Sequence, residues 1–221
     1  NQIAVRSDIG LTFAKGLRHI LRQDPNVVMI GECRDQETAE IAIRASLTGH
    51  LVFTTLHTND APSAFTRLID MGIEPFLVAS SVEAVLAQRL VRTICKHCKE
   101  EKKVEKNFLR KIGFPLEDIE TAKIYHGVGC DECHQLGYQG RMGIYELLLV
   151  DEKIRPLILD RAPSTTIAKT ALASGMRTLR HDGWVKVKAG MTTIEEVLRV
   201  TQTEEHSTNL EDNEDTMYLS R

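Results

Sequence analysis

The sequence predicts an α/β fold in which a parallel sheet with helical crossovers leads into a cysteine-rich module and a mostly helical C-terminal part. Two apolar runs, 27–30 and 51–56, are typical of strands buried on both faces, and a helical pattern over 35–47 separates them. Strands that alternate with helices favour parallel pairing with right-handed crossovers. Four of the five cysteines follow in two Cys-x2-Cys pairs.

Length and composition are those of a globular protein with one sizeable core and a small appendage. The chain has 221 residues, of which 42% are hydrophobic and 27% charged, and its net charge is −3. No apolar run approaches the roughly 20 residues of a membrane-spanning helix. The segment 202–221 is rich in acidic residues, so we expect a disordered acidic tail. The rest of the chain has nearly balanced charge, which argues against nucleic acid as a partner.

The first predicted helix covers residues 11–23. Its apolar residues recur at intervals of three and four, so they share one face. Arg18 and Arg22 are four residues apart and share another face. From spacing alone, a solvent-exposed basic face is the ordinary interpretation of such a pair. Asp24-Pro25 ends the helix, because a residue before proline avoids the helical conformation.

A carboxylate, Glu32, follows the first apolar strand and the glycine that ends it. Ligands of open α/β sheets bind beyond the carboxyl ends of the strands. A glutamate at that place can orient a water molecule or hold a metal-bound phosphate. A surface glutamate in an ordinary strand-to-helix loop is the alternative. The next residue, Cys33, is expected to pack as a small buried hydrophobe.

The second strand repeats this arrangement. Asp35 is expected to cap the intervening helix, and Gly49 to follow its end. The strand then ends on a polar cluster that begins with His57. Because the carboxyl ends of parallel strands meet at one edge, His57 is expected beside the strand of Glu32, although spacing alone favours an ordinary loop histidine. His50 precedes its strand and is expected far from that edge.

Three segments of the chain resemble the secretion-ATPase superfamily, the hexameric motors of type II secretion and type IV pilus assembly. They are residues 10–25, the Gly31-Glu32-Cys33-Arg34-Asp35 box and residues 48–59, and the resemblance continues to about Thr201. The second segment is similar to the Walker B box of that family, and the third is similar to its His box. Cys33 departs from the apolar aliphatic residue that the family usually has there.

The resemblance implies the C-terminal part of a RecA-like P-loop NTPase domain that hydrolyses ATP with Mg²⁺. Glu32 and His57 are the implied nucleotide-binding residues, and the implied catalytic residues are these two with Arg18, Arg22 and Arg34. The helix arginines Arg18 and Arg22 would approach nucleotide phosphates or a neighbouring subunit. No Gly-x-x-x-x-Gly-Lys-Ser/Thr motif occurs in the chain, and the P-loop of the family lies upstream of the matching segments. We therefore expect the C-terminal portion of a longer protein, unable to hydrolyse ATP by itself.

Partners and location follow from the same resemblance. Members form homohexamers whose domain motion acts on an inner-membrane platform and on cytoplasmic-domain proteins of a secretion or pilus machine. Membrane association would be peripheral and through these partners, at the cytoplasmic face of the bacterial inner membrane. The leading hypothesis is the motor of type II secretion, and the alternative within the family is a pilus-extension ATPase.

Cys95, Cys98, Cys130 and Cys133 predict a structural zinc site. Each Cys-x2-Cys pair is typical of a zinc knuckle, and two knuckles supply the four thiolates of a closed tetrahedral site. Disulfides are disfavoured in the cytosol, the expected compartment, and a thioredoxin-like redox site needs only one such pair. The two histidines that flank the knuckles are alternative ligands, although four cysteines suffice. The cluster is similar to that of type II secretion and pilus-extension ATPases, whereas retraction ATPases generally lack it.

A zinc-knuckle binding module without catalysis is the hypothesis from another functional class. Basic and aromatic residues around the knuckles would favour such a module, but aromatic residues make up only 5% of the chain. A thiol redox protein is a third class, and it would need reactive cysteines in place of metal-bound ones. The zinc content of the purified protein separates this third class from the other two.

The remaining elements are predicted with less detail. We expect helices over 60–72, 75–89, about 100–111, 151–160, 164–174 and 192–201, and a glycine-rich turn and strand over 137–148. Ser164 is an expected helix cap, Thr192 is expected to begin a capping box with Glu195, and 176–190 is expected to connect helices. The expected organisation is 1–94 as the ATPase core, 95–133 as the zinc module, 134–201 as a helical subdomain and 202–221 as the tail.

Overall fold

A computed structural model describes residues 1–201, so the predicted acidic tail lies outside the described residues. No helix in this part of the chain is both long enough and apolar enough to cross a bilayer. The helices are α1 Phe13–Leu21, α2 Gln36–Leu47, α3 Ser63–Asp70, α4 Pro75–Ser81, α5 Lys106–Lys111, α6 Ile154–Leu159, α7 Ser164–Ala173, α8 Leu179–Lys188 and α9 Ile194–Thr201. The strands are β1 Val27–Ile30, β2 Leu51–Thr54, β3 Ala84–Ile94, β4 Lys99–Glu101, β5 Tyr125–Gly127 and β6 Tyr138–Leu149.

The chain divides into two compact units. The first comprises 1–88 and 145–178, and the second comprises 89–144 and the described residues from 179 onward. The predicted strand-end carboxylate and the His box lie in the first unit. All four clustered cysteines lie in the second unit.

The first unit begins with the predicted helix, which is present as α1. The Thr12 side chain accepts a hydrogen bond from the backbone N–H of Lys15 at 3.2 Å and so caps the helix. The apolar face of α1 packs against β1 and α2 in a core that includes Leu17, Val28 and Ala42. This is the apolar face that the spacing of the hydrophobic residues predicted.

β1 and β2 form a parallel pair, as predicted, with Val27 opposite Leu51 and Ile30 opposite Thr54. The prediction that both faces would be buried is wrong for these residues. Val28 and Ile30 are buried, but Val27 is 57% exposed and Met29 is 70% exposed. Because successive side chains of a strand point to opposite faces, the helical layer of α1 and α2 covers only one face of this two-stranded sheet.

α2 begins and ends where local sequence predicts. One carboxylate oxygen of Asp35 accepts the backbone N–H of Thr38 at 2.8 Å, and the other accepts its hydroxyl at 3.0 Å. Gly49 follows the end of the helix with φ of 99°, the left-handed conformation that glycine adopts without strain. These two residues therefore set the length of the crossover between β1 and β2.

The predicted helix over 75–89 is wrong in its second half. The helix α4 stops at Ser81, Val82 has extended backbone, and β3 begins at Ala84. β3 pairs with β6, and its residues Ala87 and Val91 are buried. Differences in helix propensity are below about 1 kcal/mol per residue. The backbone hydrogen bonds of strand pairing therefore decide the structure here, although the apolar spacing fits a helix.

Two further helix predictions need correction. The charged segment expected to be helical over 100–111 starts as β4, which pairs antiparallel with β5, and only its end forms α5. The segment expected to connect helices over 176–190 contains α8. Trp184 of α8 is buried, donates its indole N–H to the Gly113 carbonyl at 3.1 Å and packs against Phe114. This packing makes α8 part of the core of the second unit.

The remaining predicted helices are present, but two of their caps differ. Ser164 is the first residue of α7, and Pro163 precedes it without a side-chain cap. At α9 the cap is Thr193, whose hydroxyl accepts the backbone N–H of Glu196 at 3.3 Å. Thr192 instead donates its hydroxyl to the Arg92 carbonyl at 2.7 Å. The predicted capping box is therefore displaced by one residue.

Glu196 is a buried carboxylate that the sequence did not single out. It accepts hydrogen bonds from the backbone N–H and the guanidinium of Arg92, at 2.7 and 2.8 Å, and from the guanidinium of Arg199 at 2.9–3.0 Å. The Arg92 guanidinium also stacks on the ring of Tyr138 at 4.1 Å. Burial opposes ionisation of Glu196, but the hydrogen bonds from Arg199 and Arg92 outweigh it and lower its pKa to about 2.

We expect Glu196→Gln to lower the free energy of unfolding by about 2–3 kcal/mol at pH 7, because charge-assisted hydrogen bonds are lost. The lowered pKa stabilises the folded state above the ordinary value of 4.5, and this contribution declines as the pH falls from there toward 2. Denaturant unfolding of variant and wild type at several pH values measures both effects. Glu195→Gln is the matched control, since that exposed carboxylate pairs with Lys102 on the surface. An equal loss in both variants would contradict the prediction.

Candidate functional site

The candidate site lies at the carboxyl ends of β1 and β2. The backbone N–H of Cys33 donates to the Thr55 carbonyl at 3.0 Å, and the Thr55 hydroxyl donates to the Gly31 carbonyl at 2.7 Å. These two hydrogen bonds hold the strand ends together past the last paired residues. Glu32 and His57 therefore come from neighbouring parallel strands and meet at one edge of the sheet.

The Glu32 carboxylate contacts two side chains that can carry positive charge. One oxygen lies 2.5 Å from a guanidinium nitrogen of Arg34, and the other oxygen contacts Nε2 of His57. The side chain of Glu32 is 17% exposed, whereas Arg34 and His57 are largely exposed. The structure thus brings together three of the five residues predicted to act in catalysis.

The charge of this carboxylate follows from its partners. The hydrogen bond from Arg34 lowers the pKa of Glu32, partial burial opposes this, and His57 adds to the lowering. The same pairing raises the pKa of Arg34. A carboxylate of lowered pKa is a weaker base, so the geometry suits orientation and electrostatic polarisation better than proton removal.

Arg18 lies on α1 and Arg22 is the residue that follows the end of this helix, and neither takes part in these contacts. Arg18 donates to a carboxylate oxygen of Glu37 at 2.7 Å. This pair stands in an open cleft of about 680 Å³, which is lined by Thr12, Ala14, Arg18, Asp35, Gln36, Glu37 and Glu40. Arg22 is exposed, and no ion pair within residues 1–201 includes it. Their predicted roles at a phosphate or a subunit boundary stay predictions.

His50 directly precedes β2, and its Nδ1 lies 3.0 Å from the carbonyl oxygen of Ala45 in α2. This histidine is therefore far from the carboxyl edge of the strands, as expected.

Glu146 is a residue near the candidate site that was not predicted. Its carboxylate is buried and accepts the backbone N–H of Ala61 at 2.8 Å, in the loop that follows His57. Glu146 is the one charged residue in the run 142–149, and this was the available signal for it.

The four cysteines of the second unit form a compact cluster. Their sulfur atoms all lie within 4.8 Å of one another, and the separations are 3.9 Å for Cys95 and Cys130, 3.8 Å for Cys98 and Cys133, and 3.7 Å for Cys130 and Cys133. A regular tetrahedron with metal–sulfur distances of about 2.3 Å has an edge of about 3.8 Å. The thiols are free, with no disulfide among them. The cluster therefore has the dimensions of a four-thiolate metal site.

Backbone donors and burial act on these thiols in opposite directions. Burial opposes the Cys133 thiolate, but backbone N–H groups of Cys130 and Gly137, each 3.2 Å from its sulfur, outweigh burial and lower its pKa to about 6. Burial raises the pKa of Cys98 to about 12. Outside the cluster, burial also raises the pKa of Cys33 to about 11, and this side chain is buried as predicted.

A family model described as "Type II/IV secretion system protein" matches residues 1–199. The chain belongs to this family. It is 52% identical over 203 residues to type II secretion system protein E of Pseudomonas aeruginosa, covering 92% of this chain and 40% of that protein. It is 51% identical over 201 residues to the type IV pilus assembly ATPase PilB of Thermus thermophilus, covering 91% of this chain and 23% of that protein. The chain thus spans less than half the length of these relatives.

Solved structures of this family agree with the fold. The pilus retraction motor PilT with bound ADP superposes with a TM-score of 0.60 at 26% identity, over 89% of this chain and 46% of that one. The ATPase DotB of Legionella pneumophila superposes with a TM-score of 0.58 at 23% identity, over 86% of this chain and 42% of that one, which supports the fold alone. The predicted fold class and the resemblance to the secretion-ATPase superfamily are confirmed.

Proposed function

We propose that this chain is the C-terminal motor portion of a hexameric ATPase that powers type II protein secretion. The observation that carries the proposal is the contact of Glu32 with His57 and Arg34 at the carboxyl edge of a parallel strand pair. Ligands of open α/β sheets bind at such an edge. A pilus-extension ATPase is the second candidate, supported by the 51% identity to PilB.

At this edge the chain would hold ATP and Mg²⁺. Glu32 would polarise the attacking water or orient the coordination shell of the metal, and His57 would face the γ-phosphate. Arg34 keeps the Glu32 carboxylate ionised, and Glu146 holds the loop after His57 in place. When bound, Mg²⁺ neutralises charge on the phosphates. Arg18 and Arg22 would bring fixed positive charge to a phosphate or to a neighbouring subunit.

We also propose that Cys95, Cys98, Cys130 and Cys133 hold a structural zinc ion. Three sulfur separations of 3.7–3.9 Å support this, since they match the edge of about 3.8 Å of a tetrahedral thiolate site. A site closed by four thiolates leaves no position for a reacting water molecule. The ion would contribute to folding, with no part in the chemistry at Glu32.

Homohexamers at the cytoplasmic face of the bacterial inner membrane are the proposed setting. The relatives named as secretion and pilus-assembly proteins support it. An inner-membrane platform and cytoplasmic-domain proteins of the machine would be the partners, and contact with the membrane would be through them.

The experiment that tests the proposal compares the 221-residue chain with the full-length protein. We expect Mg²⁺-dependent ATP hydrolysis from the full-length protein and none from the chain, because the 221 residues contain no P-loop motif. Phosphate release is the measurement, and a mock purification from cells without the expressed protein is the blank for contaminating ATPases. Turnover by the chain alone above that blank would contradict the proposal.

A second test concerns Arg18 of α1 and Arg22 at the end of that helix. In the full-length protein, we expect Arg18→Ala or Arg22→Ala to lower turnover about 10-fold or more, since a fixed charge that stabilises a phosphoryl transition state is lost. Thermal stability should change little, because exposed ion pairs contribute about 0–1 kcal/mol. Arg67→Ala, at an exposed arginine of α3, is the matched control. Wild-type turnover in both test variants would mean that the two arginines only form a solvent-exposed basic face and have no part in catalysis.

A further inference from the structure

We propose that Gly127 and Gly137 set the geometry of the four-cysteine site through a backbone crossing that no side chain permits. The inference rests on the proposed zinc site and names the residues that hold its ligands in position. The two glycines belong to the same unit as the cysteines. They lie on segments that enter and leave the second knuckle.

Gly137 connects the two knuckles directly. Its backbone N–H donates to Sγ of Cys133 at 3.2 Å, and its carbonyl accepts the backbone N–H of Cys95 at 3.0 Å. One residue therefore binds a sulfur of the second knuckle and the backbone of the first. A displacement of Gly137 would therefore disturb one hydrogen bond of each knuckle.

The backbone of Gly127 lies very close to the backbone of Gly137. An ideal Cβ built at Gly127 would lie 2.0 Å from the carbonyl oxygen of Gly137, and one at Gly137 would lie 2.4 Å from the carbonyl oxygen of Gly127. Both distances are well below any real Cβ contact, and the obstructing atoms are backbone, which cannot rotate away. The next residue, Val128, donates its N–H to the Cys98 carbonyl at 3.0 Å. A side chain at Gly127 would therefore push apart segments that are bonded to both knuckles.

The consequence for metal binding follows from the narrow tolerance of a thiolate site. Ligand distances must stay within about 0.2 Å of their preferred values. Three of the sulfur separations, at 3.7–3.9 Å, match the edge of about 3.8 Å of a tetrahedral thiolate site. Loss of outer groups that orient metal ligands typically weakens metal affinity about 10- to 100-fold. We expect a similar loss of metal affinity when a side chain at either glycine forces the two backbone segments apart.

Three alanine substitutions separate steric overlap from backbone strain. Gly127 has no left-handed φ, so Gly127→Ala introduces overlap alone. Gly140 has φ of 77°, and among residues 1–201 nothing lies within 4 Å of its Cβ position beyond its chain neighbours, so Gly140→Ala introduces strain alone. Gly137, with φ of 74°, combines both. Gly140→Ala is thus the control for the other two.

The measurement is the Co²⁺ dissociation constant of the 221-residue chain, followed by thiolate-to-cobalt absorption and by competition with Zn²⁺. We expect Gly127→Ala and Gly137→Ala to bind about 10- to 100-fold more weakly than wild type, and Gly140→Ala to bind within about threefold. Wild-type affinity in Gly127→Ala, or equal weakening in Gly140→Ala, would overturn the inference while leaving the zinc proposal intact. Failure of the wild-type chain to bind Co²⁺ or Zn²⁺ would overturn both.

Circular dichroism in saturating Zn²⁺ covers the case in which overlap prevents folding. If Gly127→Ala and Gly137→Ala both fail to fold in saturating Zn²⁺ while Gly140→Ala folds, the crossing is a requirement of the unit's core and the inference is overturned. Folded variants with weakened Co²⁺ binding are the supporting result.

Discussion

Glu32→Gln in the full-length protein is expected to lower ATP hydrolysis by at least about 100-fold while ATP binding and assembly stay intact. Loss of one preorganised electrostatic group typically costs a factor of about 10²–10³ in turnover. Glutamine keeps the size of the side chain and one acceptor oxygen but removes the charge that Arg34 and His57 hold in place. The variant should therefore fold and bind nucleotide, yet be unable to polarise water or orient a metal shell.

Single-turnover hydrolysis and equilibrium binding of ATP test this prediction together. Glu74→Gln, at an exposed glutamate of the same unit, is the matched control and should keep wild-type turnover. A titration of Mg²⁺ in the Glu32 variant separates the two roles, since a residue that orients the metal shell shifts the Mg²⁺ dependence. Near-normal turnover in Glu32→Gln with ATP binding intact would remove the basis of the proposed function.

Removal of the proposed zinc ion is expected to have the largest effect on stability. Zinc bound to a four-ligand structural site of a small peptide has an apparent binding free energy of about 10–16 kcal/mol at pH 7, and binding is coupled to folding. We expect one zinc ion per chain, four thiols protected from a thiol reagent, and cooperative unfolding of the second unit after chelation. Metal analysis, thiol titration and thermal unfolding with and without chelator measure these three effects.

Cys133→Ser and Cys33→Ser form a matched pair for this test. Cys133 lies in the cluster, whereas Cys33 is buried in the first unit and, within residues 1–201, belongs to no group of metal-ligating side chains. We expect only Cys133→Ser to lower the zinc content and expose the remaining cluster thiols. A folded wild-type protein that carries no zinc and whose four thiols react freely would refute the metal assignment.

The sequence by itself determined the features that depend on neighbouring residues. The Asp35 cap, the Gly49 helix end and the two cysteine knuckles follow from short spacings, and all are present. The meeting of Glu32 with His57 was also predictable, because parallel strands joined by a right-handed crossover bring their carboxyl ends to one edge. In each case local chemistry or a general rule of chain topology leaves few alternatives.

Only the tertiary structure decided the features that depend on distant residues. β3 is a strand because β6 pairs with it, although its apolar spacing also fits a helix. Glu146 meets Ala61 across 85 positions, and Glu196 meets Arg92 across 104. The exposure of one face of β1 likewise depends on which layers cover the sheet. The reason is physical: packing and long-range hydrogen bonds exceed the small local preferences, and no periodicity in the sequence records which distant segments will supply them.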